Sequence, residues 1–379
     1  MRIAWLVPGF SSDERDWCLP ALLDLARALA ARHDLHVFAL QYPYRRDRYT
    51  VFGATVHAIG GRNRGRWHLP VVWRAALSEI AREHRRSRFD ALHAFWAWEP
   101  GVIAGWLKRS IGVRTVISLA GGELIDLPEI GYGLGDRRGL LRAMRWALRR
   151  ADVVTAGSTG LLARGRRLGL PAAQFAPLGV DVEMFSPEGR PRETPPTIIN
   201  VGSLEPVKGQ ADLISAFRFV VDREPKARLV IAGNGSLKSA LESLTRELGL
   251  AERVSFAGEV RHEELPALYH AASVCVQASW HEAQGMAVLE AAACGLAIVG
   301  TPVGALADLA PEAALTSPPG DPLRLAQALL SVLDDPARRK ALGQTARRRV
   351  EDVYRLALAA ERFETLYCET PAPAARAQA

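Results

Sequence analysis

Cysteine is scarce in this chain. Its 379 residues include four cysteines, Cys18, Cys275, Cys294 and Cys368, and no Cys-x-x-Cys pair. That scatter argues against a disulfide scaffold or a structural zinc and points to a reducing compartment. No run is long and apolar enough to span a bilayer. The N-terminus, MRIAWLVPGF, lacks a small-residue cleavage site and reads as a first strand rather than a signal peptide. A cytoplasmic location is the expectation. After that strand comes Pro8-Gly9-Phe10-Ser11-Ser12-Asp13, not Gly-x-Gly-x-x-Gly, so no dinucleotide cofactor is expected. No Ser or Thr follows Lys208 in Walker fashion, which disfavours ATP hydrolysis. Asp-x-Asp, a metal anchor for diphosphates, is also missing, and no metal is expected.

What is present is enough apolar residue, 49%, for two ordinary domains, with 23% charged. The net charge of +7 is uneven: residues 1–190 carry an excess of arginine, while residues 191–379 are slightly acidic. An anionic partner suits the first half, as does plain solubility. Short apolar runs, such as Ile3–Val7, Leu35–Leu40, Arg114–Ser118 and Val153–Ala156, alternate with amphipathic runs such as Pro20–Ala31, Pro70–Arg86 and Leu140–Arg149. The pattern restarts at Thr197–Val201 and continues through Leu229–Ala232, Val254–Ala257 and Val274–Val276. Alternation of this kind predicts parallel sheets covered on both faces, with ligands at the carboxyl ends of the strands. Between the halves, Glu188–Pro196 is rich in proline and charge and reads as a linker. The expected division is residues 1–190, residues 191–350, a returning helix within 351–369 and a loose tail, 370–379.

Residues 277–304, QASWHEAQGMAVLEAAACGLAIVGTPVG, are the most informative stretch. A strand leads into a polar loop, and Gly285 opens a helix with apolar Met286, Val288 and Leu289. Such a helix start offers unpaired N–H groups and a positive dipole end to a phosphate. Glu282 in the loop and Glu290 in the helix would repel phosphate but accept sugar hydroxyls. The arrangement fits a diphosphate flanked by two polyols, as in a nucleotide sugar. Two solvated surface glutamates would give the same letters.

The Glu-x7-Glu spacing, the run Glu290-Ala-Ala-Ala-Cys-Gly295 and Gly300-Thr-Pro-Val-Gly304 resemble the retaining glycosyltransferases of family 4, which have the GT-B fold. The resemblance implies an α/β protein with two Rossmann-like, doubly wound domains facing a central cleft. It implies that Glu282 contacts the donor sugar and Glu290 the ribose. Gly202-Ser203-Leu204-Glu205-Pro206-Val207-Lys208-Gly209 resembles the family's Gly-x-Leu-x-x-x-Lys-Gly segment, whose Lys binds the donor diphosphate. The glycine turn at Gly233 and Gly235, the backbone at Val260, and Gly285 with Met286 fall where relatives approach the donor. On the acceptor side the resemblance implicates Gly9, His93 as the last residue of a strand Ala91–His93, and Glu123. Three positions depart from the pattern. Ala283 replaces a Gly, Ser203 a frequent Arg, and Ala120 a frequent His.

Lys208 and Glu282 are therefore the expected catalytic residues, with Gly202, Ser203, Gly233, Gly235, Val260, Gly285, Met286 and Glu290 on the donor. The expected reaction moves a sugar from a nucleotide diphosphate sugar to an acceptor hydroxyl on a glycan or lipid-linked molecule. Retention is implied, and no metal or nucleic acid is expected to take part. A nucleotide-sugar epimerase, and a non-catalytic nucleotide-sugar binder or membrane-docked partner subunit, are the competing readings. Two basic patches, Arg62–His68 and Arg137–Arg150, raise peripheral contact with an anionic membrane at the inner face. An ordinary amphipathic helix packed on the sheet fits the second patch too.

Overall fold

The structure is a computed structural model that describes residues 1–16, 18–63, 66–133, 138–188 and 195–368. Most of the linker reading (189–194), the tail reading (370–379), and Arg64 and Arg137 of the basic patches lie outside the described residues.

Two sheets carry the fold. The first holds β1 (Arg2–Gly9), β2 (Asp34–Tyr42), β3 (Asp47–Val51), β4 (Ala54–Ala58), β5 (Ala91–Phe95) and β6 (Arg114–Leu119). A small hairpin, β7 (Asp126–Leu127) with β8 (Tyr132–Gly133), follows, and the sheet resumes with β9 (Val153–Ala156) and β10 (Ala173–Phe175). Its order is β10-β9-β6-β5-β1-β2-β4-β3, parallel except for the antiparallel edge pair β3/β4. The second sheet holds β11 (Thr197–Val201), β12 (Arg228–Ala232), β13 (Val254–Gly258), β14 (Val274–Gln277), β15 (Ala297–Gly300) and β16 (Ala314–Thr316). Its order is β13-β12-β11-β14-β15-β16, parallel throughout. The short edge strands β3, β10 and β16, and the β7/β8 hairpin, have no counterpart in the sequence pattern. They are too brief or too polar to show a period.

Helices cover both faces. In the first half these are α1 (Pro20–Ala30), α2 (Leu69–Arg86), α3 (Glu99–Ile111), α4 (Arg138–Leu148) and α5 (Thr159–Arg167). In the second they are α6 (Gln210–Arg223), α7 (Lys238–Glu247), α8 (Leu265–His270), α9 (Met286–Ala293), α10 (Ala305–Leu309), α11 (Pro322–Leu333) and α12 (Pro336–Val353). Starts are marked by proline and by side-chain caps: Ser158 accepts from Leu161 N–H, Asp321 from Arg324 N–H and Asp335 from Arg338 N–H. No helix among the described residues is long and apolar enough to cross a membrane.

Strand alternation sorts the core. Ile3, Trp5 and Val7 of β1 join one apolar cluster and Ala4 and Leu6 the opposite one. In the second sheet Ile199 and Ile298 face one cluster, and Ile198 and Val299 the other. The last helix, α13 (Leu356–Cys368), leaves the second half and buries Phe363, Leu366 and Tyr367 in the first-half cluster beside Trp5 and Phe95. It crosses next to the outgoing chain. Val180 N–H donates to Tyr354 O at 2.8 Å, and Leu356 N–H returns to Val180 O at 2.9 Å.

In each sheet the winding reverses once, between β1 and β5 and between β11 and β14. Such reversals splay successive loops apart and open a crevice at the strands' carboxyl ends. The loops after β11 and β14 carry Lys208 and Glu282. The topology alone puts those two residues on either side of one crevice.

Candidate active site

A cavity of about 720 Å³ lies between the two halves, lined from both. The second half supplies Gly202, Ser203, Lys208, Glu282, Gly285, Met286 and Glu290, which line it together.

Lys208 ends a 3₁₀ turn, Pro206–Lys208, and Gly209 follows at φ +64°. A Cβ at Gly209 would lie 2.2 Å from Ala278 O, so only glycine lets this turn close on the neighbouring strand. The closure brings Lys208 Nζ to 2.7 Å from Glu282 Oε1, which also accepts from Ser279 Oγ at 2.8 Å. Gly285, at φ +86°, turns the chain into α9. The helix places Glu290 in a buried cage, 6% exposed. Tyr269 Oη donates to Glu290 Oε2 at 3.0 Å, and His262 Nε2 lies 3.2 Å from Oε1. A carboxylate has further lone pairs beyond these two, so Glu290 can still accept from a ligand hydroxyl. Burial pulls the His262 pKa down, but the bond and charge of Glu290, with Asp24 and Asp181 nearby, outweigh it and leave it raised. Asp24 of α1 is itself pushed up to about 6, mainly by burial.

The other donor-side residues stand behind this wall. A Cβ at Gly233 would lie 2.0 Å from Gly202 O, and one at Gly235 2.5 Å from Leu204 O. Both glycines let the loop after β12 back the Gly202–Leu204 loop, and neither lines the cavity. Val260 packs against the apolar cluster beneath α9.

The acceptor-side residues are placed differently from the expectation. His93 is wholly buried, with Nδ1 and Nε2 each 2.7 Å from Tyr367 Oη and Ser118 Oγ. Burial depresses its pKa to about 3, so it is a neutral core residue and does not reach the cleft. Strand β5 runs on through Phe95 past His93, which is why the histidine is not at a strand end. Glu123 is buried too. It accepts backbone N–H groups of Ala97 at 3.0 Å and Gly121 at 2.7 Å, tying its own loop instead of facing a ligand. Burial raises its pKa, and those backbone bonds offset only part of the rise. Gly9 packs against Tyr42, its notional Cβ 3.1 Å from Tyr42 Cβ, outside the cavity lining.

What the first half does present is Leu19–Leu22, Trp96, Ala120–Gly122, Tyr132 and Leu178. Trp96 holds φ +75°, a conformation rare for a non-glycine residue and a mark of strain at a site. A Cβ at Gly121 would lie 2.6 Å from the Trp96 Nε1, and one at Gly122 2.3 Å from Tyr132 Oη. The glycine pair permits that close approach, and neither ring had a sequence signal.

The loop bearing Glu282 is stitched to the first half on both sides. His281 Nε2 lies 3.4 Å from Gly121 O, and Ser158 Oγ donates to Ala283 O at 2.7 Å. Leu178 N–H donates to Gln284 Oε1 at 2.8 Å, and Gln284 Nε2 donates to Leu178 O at 2.6 Å. Burial lowers the His281 pKa, so its ring is predominantly neutral at pH 7.

Among the described residues one group offers metal-type ligand atoms within 4.8 Å of one another: His36, His57 and Glu83. It lies under α2, with His36 near the amino end of β2. Arg2 Nη2 is 3.1 Å from His36 Nε2, and Arg48 pairs with Glu83. Two guanidiniums so close make a poor cation site.

Two wound sheets face a crevice whose wall carries a cation, a helix start and two glutamates, groups whose chemistry suits an anion flanked by hydroxyls. Residues 181–349 match the family of glycosyl transferases group 1, and residues 20–179 match the glycosyl transferase 4-like domain. Over 307 residues the chain is 33% identical to a D-inositol 3-phosphate glycosyltransferase of Corynebacterium diphtheriae, spanning 74% of this chain and 70% of that one. It is 24% identical to an N-acetyl-alpha-D-glucosaminyl L-malate synthase of Bacillus anthracis over 91% of each. Among solved structures, a sucrose-phosphate synthase from Thermosynechococcus elongatus superposes with a TM-score of 0.85 at 23% identity, covering 97% of this chain and 98% of that one. Anabaena HepE in complex with UDP-glucose superposes at 0.71 with 17% identity, over 97% and 99%. The chain belongs to the glycosyl transferases group 1 family, has the GT-B fold and is a glycosyltransferase.

Proposed function

We propose that the chain transfers a sugar from a nucleoside diphosphate sugar to an acceptor hydroxyl with retention of configuration, using its own cation instead of a metal ion. The observation that carries this is the pairing of Lys208 with Glu282 at 2.7 Å in a cavity whose wall also holds the caged Glu290. Glu290 accepts the ribose hydroxyls. Glu282 accepts from the donor sugar. Lys208 and the start of α9 meet the diphosphate. As the bond from the anomeric carbon to the diphosphate oxygen breaks, charge grows on that oxygen, where Lys208 and the helix start stabilise it. The acceptor oxygen bonds to the anomeric carbon on the same face, and its proton passes to the leaving diphosphate oxygen. Relatives named as GDP-mannose-dependent phosphatidylinositol monomannoside mannosyltransferases and as an inositol 3-phosphate glycosyltransferase support a lipid- or phosphate-linked acceptor.

Peripheral contact with an anionic membrane rests on α4. Its Met144, Ala147 and Leu148 are buried, while Arg142, Arg145, Arg149 and Arg150 gather around Trp146. The guanidinium of Arg150 lies 4.3 Å from the Trp146 ring centre, and the neighbouring Trp106 is 49% exposed. Indole and arginine side by side suit a headgroup layer. Co-sedimentation with anionic vesicles that salt abolishes is the expected result, and binding to neutral vesicles alone would refute it.

The donor reading is tested by thermal shift against UDP-, GDP-, ADP- and dTDP-sugars. One nucleotide series should stabilise the wild type and not Lys208→Ala. Product anomeric configuration by NMR tests retention, and unchanged turnover in EDTA tests metal independence. No stabilisation by any nucleotide would overturn the proposal.

A further inference from the structure

Strain marks one point on the cavity wall. Of the four non-glycine residues at positive φ among the described residues, Phe52, Arg62, Asn63 and Trp96, only Trp96 lines the cavity. So bulky a side chain is disfavoured in that region and persists there only where its surroundings over-determine it. Here they do. Trp96 N–H donates to Ser118 O at 2.9 Å, and Gly101 N–H donates to Trp96 O at 3.0 Å. Buried Glu123 then accepts from the next residue, Ala97 N–H, with Oε1 and from Gly121 N–H with Oε2. One carboxylate therefore pins the backbone beside Trp96 to the glycine loop, where the absence of a Cβ at Gly121 leaves room for the indole edge. The indole also packs against the first-half cluster that holds Phe95. This corner of the cavity faces Glu282. His281, the residue before Glu282, reaches Gly121 O, and the Tyr132 hydroxyl, its pKa raised first by burial, also feels the charge of Glu282.

We propose that Trp96, with Tyr132 beside it, is the platform on which the transferred sugar rests opposite Glu282, and that Glu123 is the positioning residue that holds the indole there. The inference rests on the donor reading, and deepens it by naming first-half residues that discriminate the sugar. A sugar ring has a polar rim and apolar C–H faces. Glu282 on one side accepts from the rim. The electron-rich face of an aromatic ring on the other side suits the C–H groups. A change of φ at Trp96 would re-aim its Cβ and carry the indole off the wall, so the strained backbone and the buried carboxylate serve one end.

Calorimetry on the full chain tests this with two probes: the nucleoside diphosphate sugar that stabilises the protein most, and the bare nucleoside diphosphate it contains. Trp96→Ala should weaken the sugar conjugate about three- to tenfold and leave the bare nucleotide unchanged, and Trp96→Phe should keep most of the affinity. Initial rates should show kcat/KM falling by a similar factor in Trp96→Ala. Glu123→Gln should reproduce the selective loss and add little to it in the Trp96→Ala background, because it acts through the ring. Trp96→Gly relieves the backbone, so its urea midpoint should lie above that of Trp96→Ala, the reverse of the order in regular structure. Equal weakening of both probes, unchanged binding of the conjugate in Trp96→Ala, additive losses with Glu123→Gln, or a glycine variant less stable than the alanine one would overturn the inference. A wild type that binds no nucleoside diphosphate sugar at all would instead indict the donor reading.

Discussion

Replacing Glu290 by glutamine removes one charge and almost no volume. In the free protein that carboxylate holds Tyr269 Oη at 3.0 Å and lies 3.2 Å from His262 Nε2, with 6% of the residue exposed. Hydrogen bonds to a charged group are worth roughly 1.5–3 kcal/mol and neutral ones roughly 0.5–1.5 kcal/mol. If a ribose diol donates to Glu290, the glutamine variant should lose about 1–2 kcal/mol of donor binding, roughly five- to thirtyfold in Kd. Glutamine can still serve Tyr269, so the fold should lose less than about 1 kcal/mol. Alanine differs: it orphans both donors, at roughly 1–3 kcal/mol per unsatisfied group, and leaves a hole. Calorimetry with the matching nucleoside diphosphate, beside urea unfolding, separates the two effects. The 2′,3′-dideoxy nucleotide should bind wild type about as weakly as the ribonucleotide binds Glu290→Gln. Wild-type affinity in the glutamine variant, or no discrimination against the dideoxy nucleotide, would refute the ribose role and leave Glu290 a purely structural anchor.

Lys208→Ala should weaken nucleoside diphosphate binding by roughly tenfold or more and lower kcat further, because charge on the leaving oxygen grows in the transition state; initial rates decide, and an unchanged kcat would contradict the electrostatic role. Gln284→Ala leaves Leu178 N–H and C=O without their partners, so unfolding should become easier by about 1–3 kcal/mol. In that variant kcat should fall while the nucleotide Kd stays close to wild type, as measured by urea titration and single-turnover rates. Acid should destabilise the fold through its buried histidines: burial holds His93 and His57 at about 3 and pulls His36 down. Unfolded histidine titrates near 6.5, so the unfolded chain binds more protons below that pH. The stabilisation is complete above about 6.5 and is lost as pH falls toward 3, by up to about 1.4 kcal/mol per pH unit for each residue. His262, raised, runs the opposite way and offsets part of the loss. Urea midpoints at pH 7.5 and 5.0 report the difference, and equal midpoints would contradict it.

The wall proposed to meet the donor could be read from the sequence because its chemistry is local. Lys208, Glu282 and Glu290 would act through side chains, and each sits a fixed number of residues from a glycine that sets its loop. Parallel-sheet topology then brings the two loops together. The facing wall, supplied by the first half, follows another logic. It is made of backbone at Ala120–Gly122, two rings, and residues delivered from separate strands, and no spacing rule links Trp96 to Tyr132. His93 misled because a histidine late in a short apolar run looks like a strand end. The strand has two more buried residues, and both ring nitrogens serve the core. Glu123 misled for a related reason. A carboxylate after two glycines can face a ligand or knot its own loop, and only the positions of Ala97 and Gly121 N–H decide between them.

The departure at Ala283 acquires a physical reason in the same geometry. Its carbonyl accepts from Ser158 at 2.7 Å, and its methyl packs against the first-half apolar cluster. Its neighbours on either side are equally committed: Glu282 to Lys208, Gln284 to Leu178. One short loop therefore carries the residue proposed to meet the donor sugar and contacts to the other half of the molecule. A glycine at 283 would give the loop freedom at its centre, whereas alanine gives it apolar contact with the opposite half. On the proposed role of Glu282, any movement of the half that supplies Ser158 and Leu178 would pull on the backbone beside the glutamate, which couples the state of the cleft to the position of that side chain.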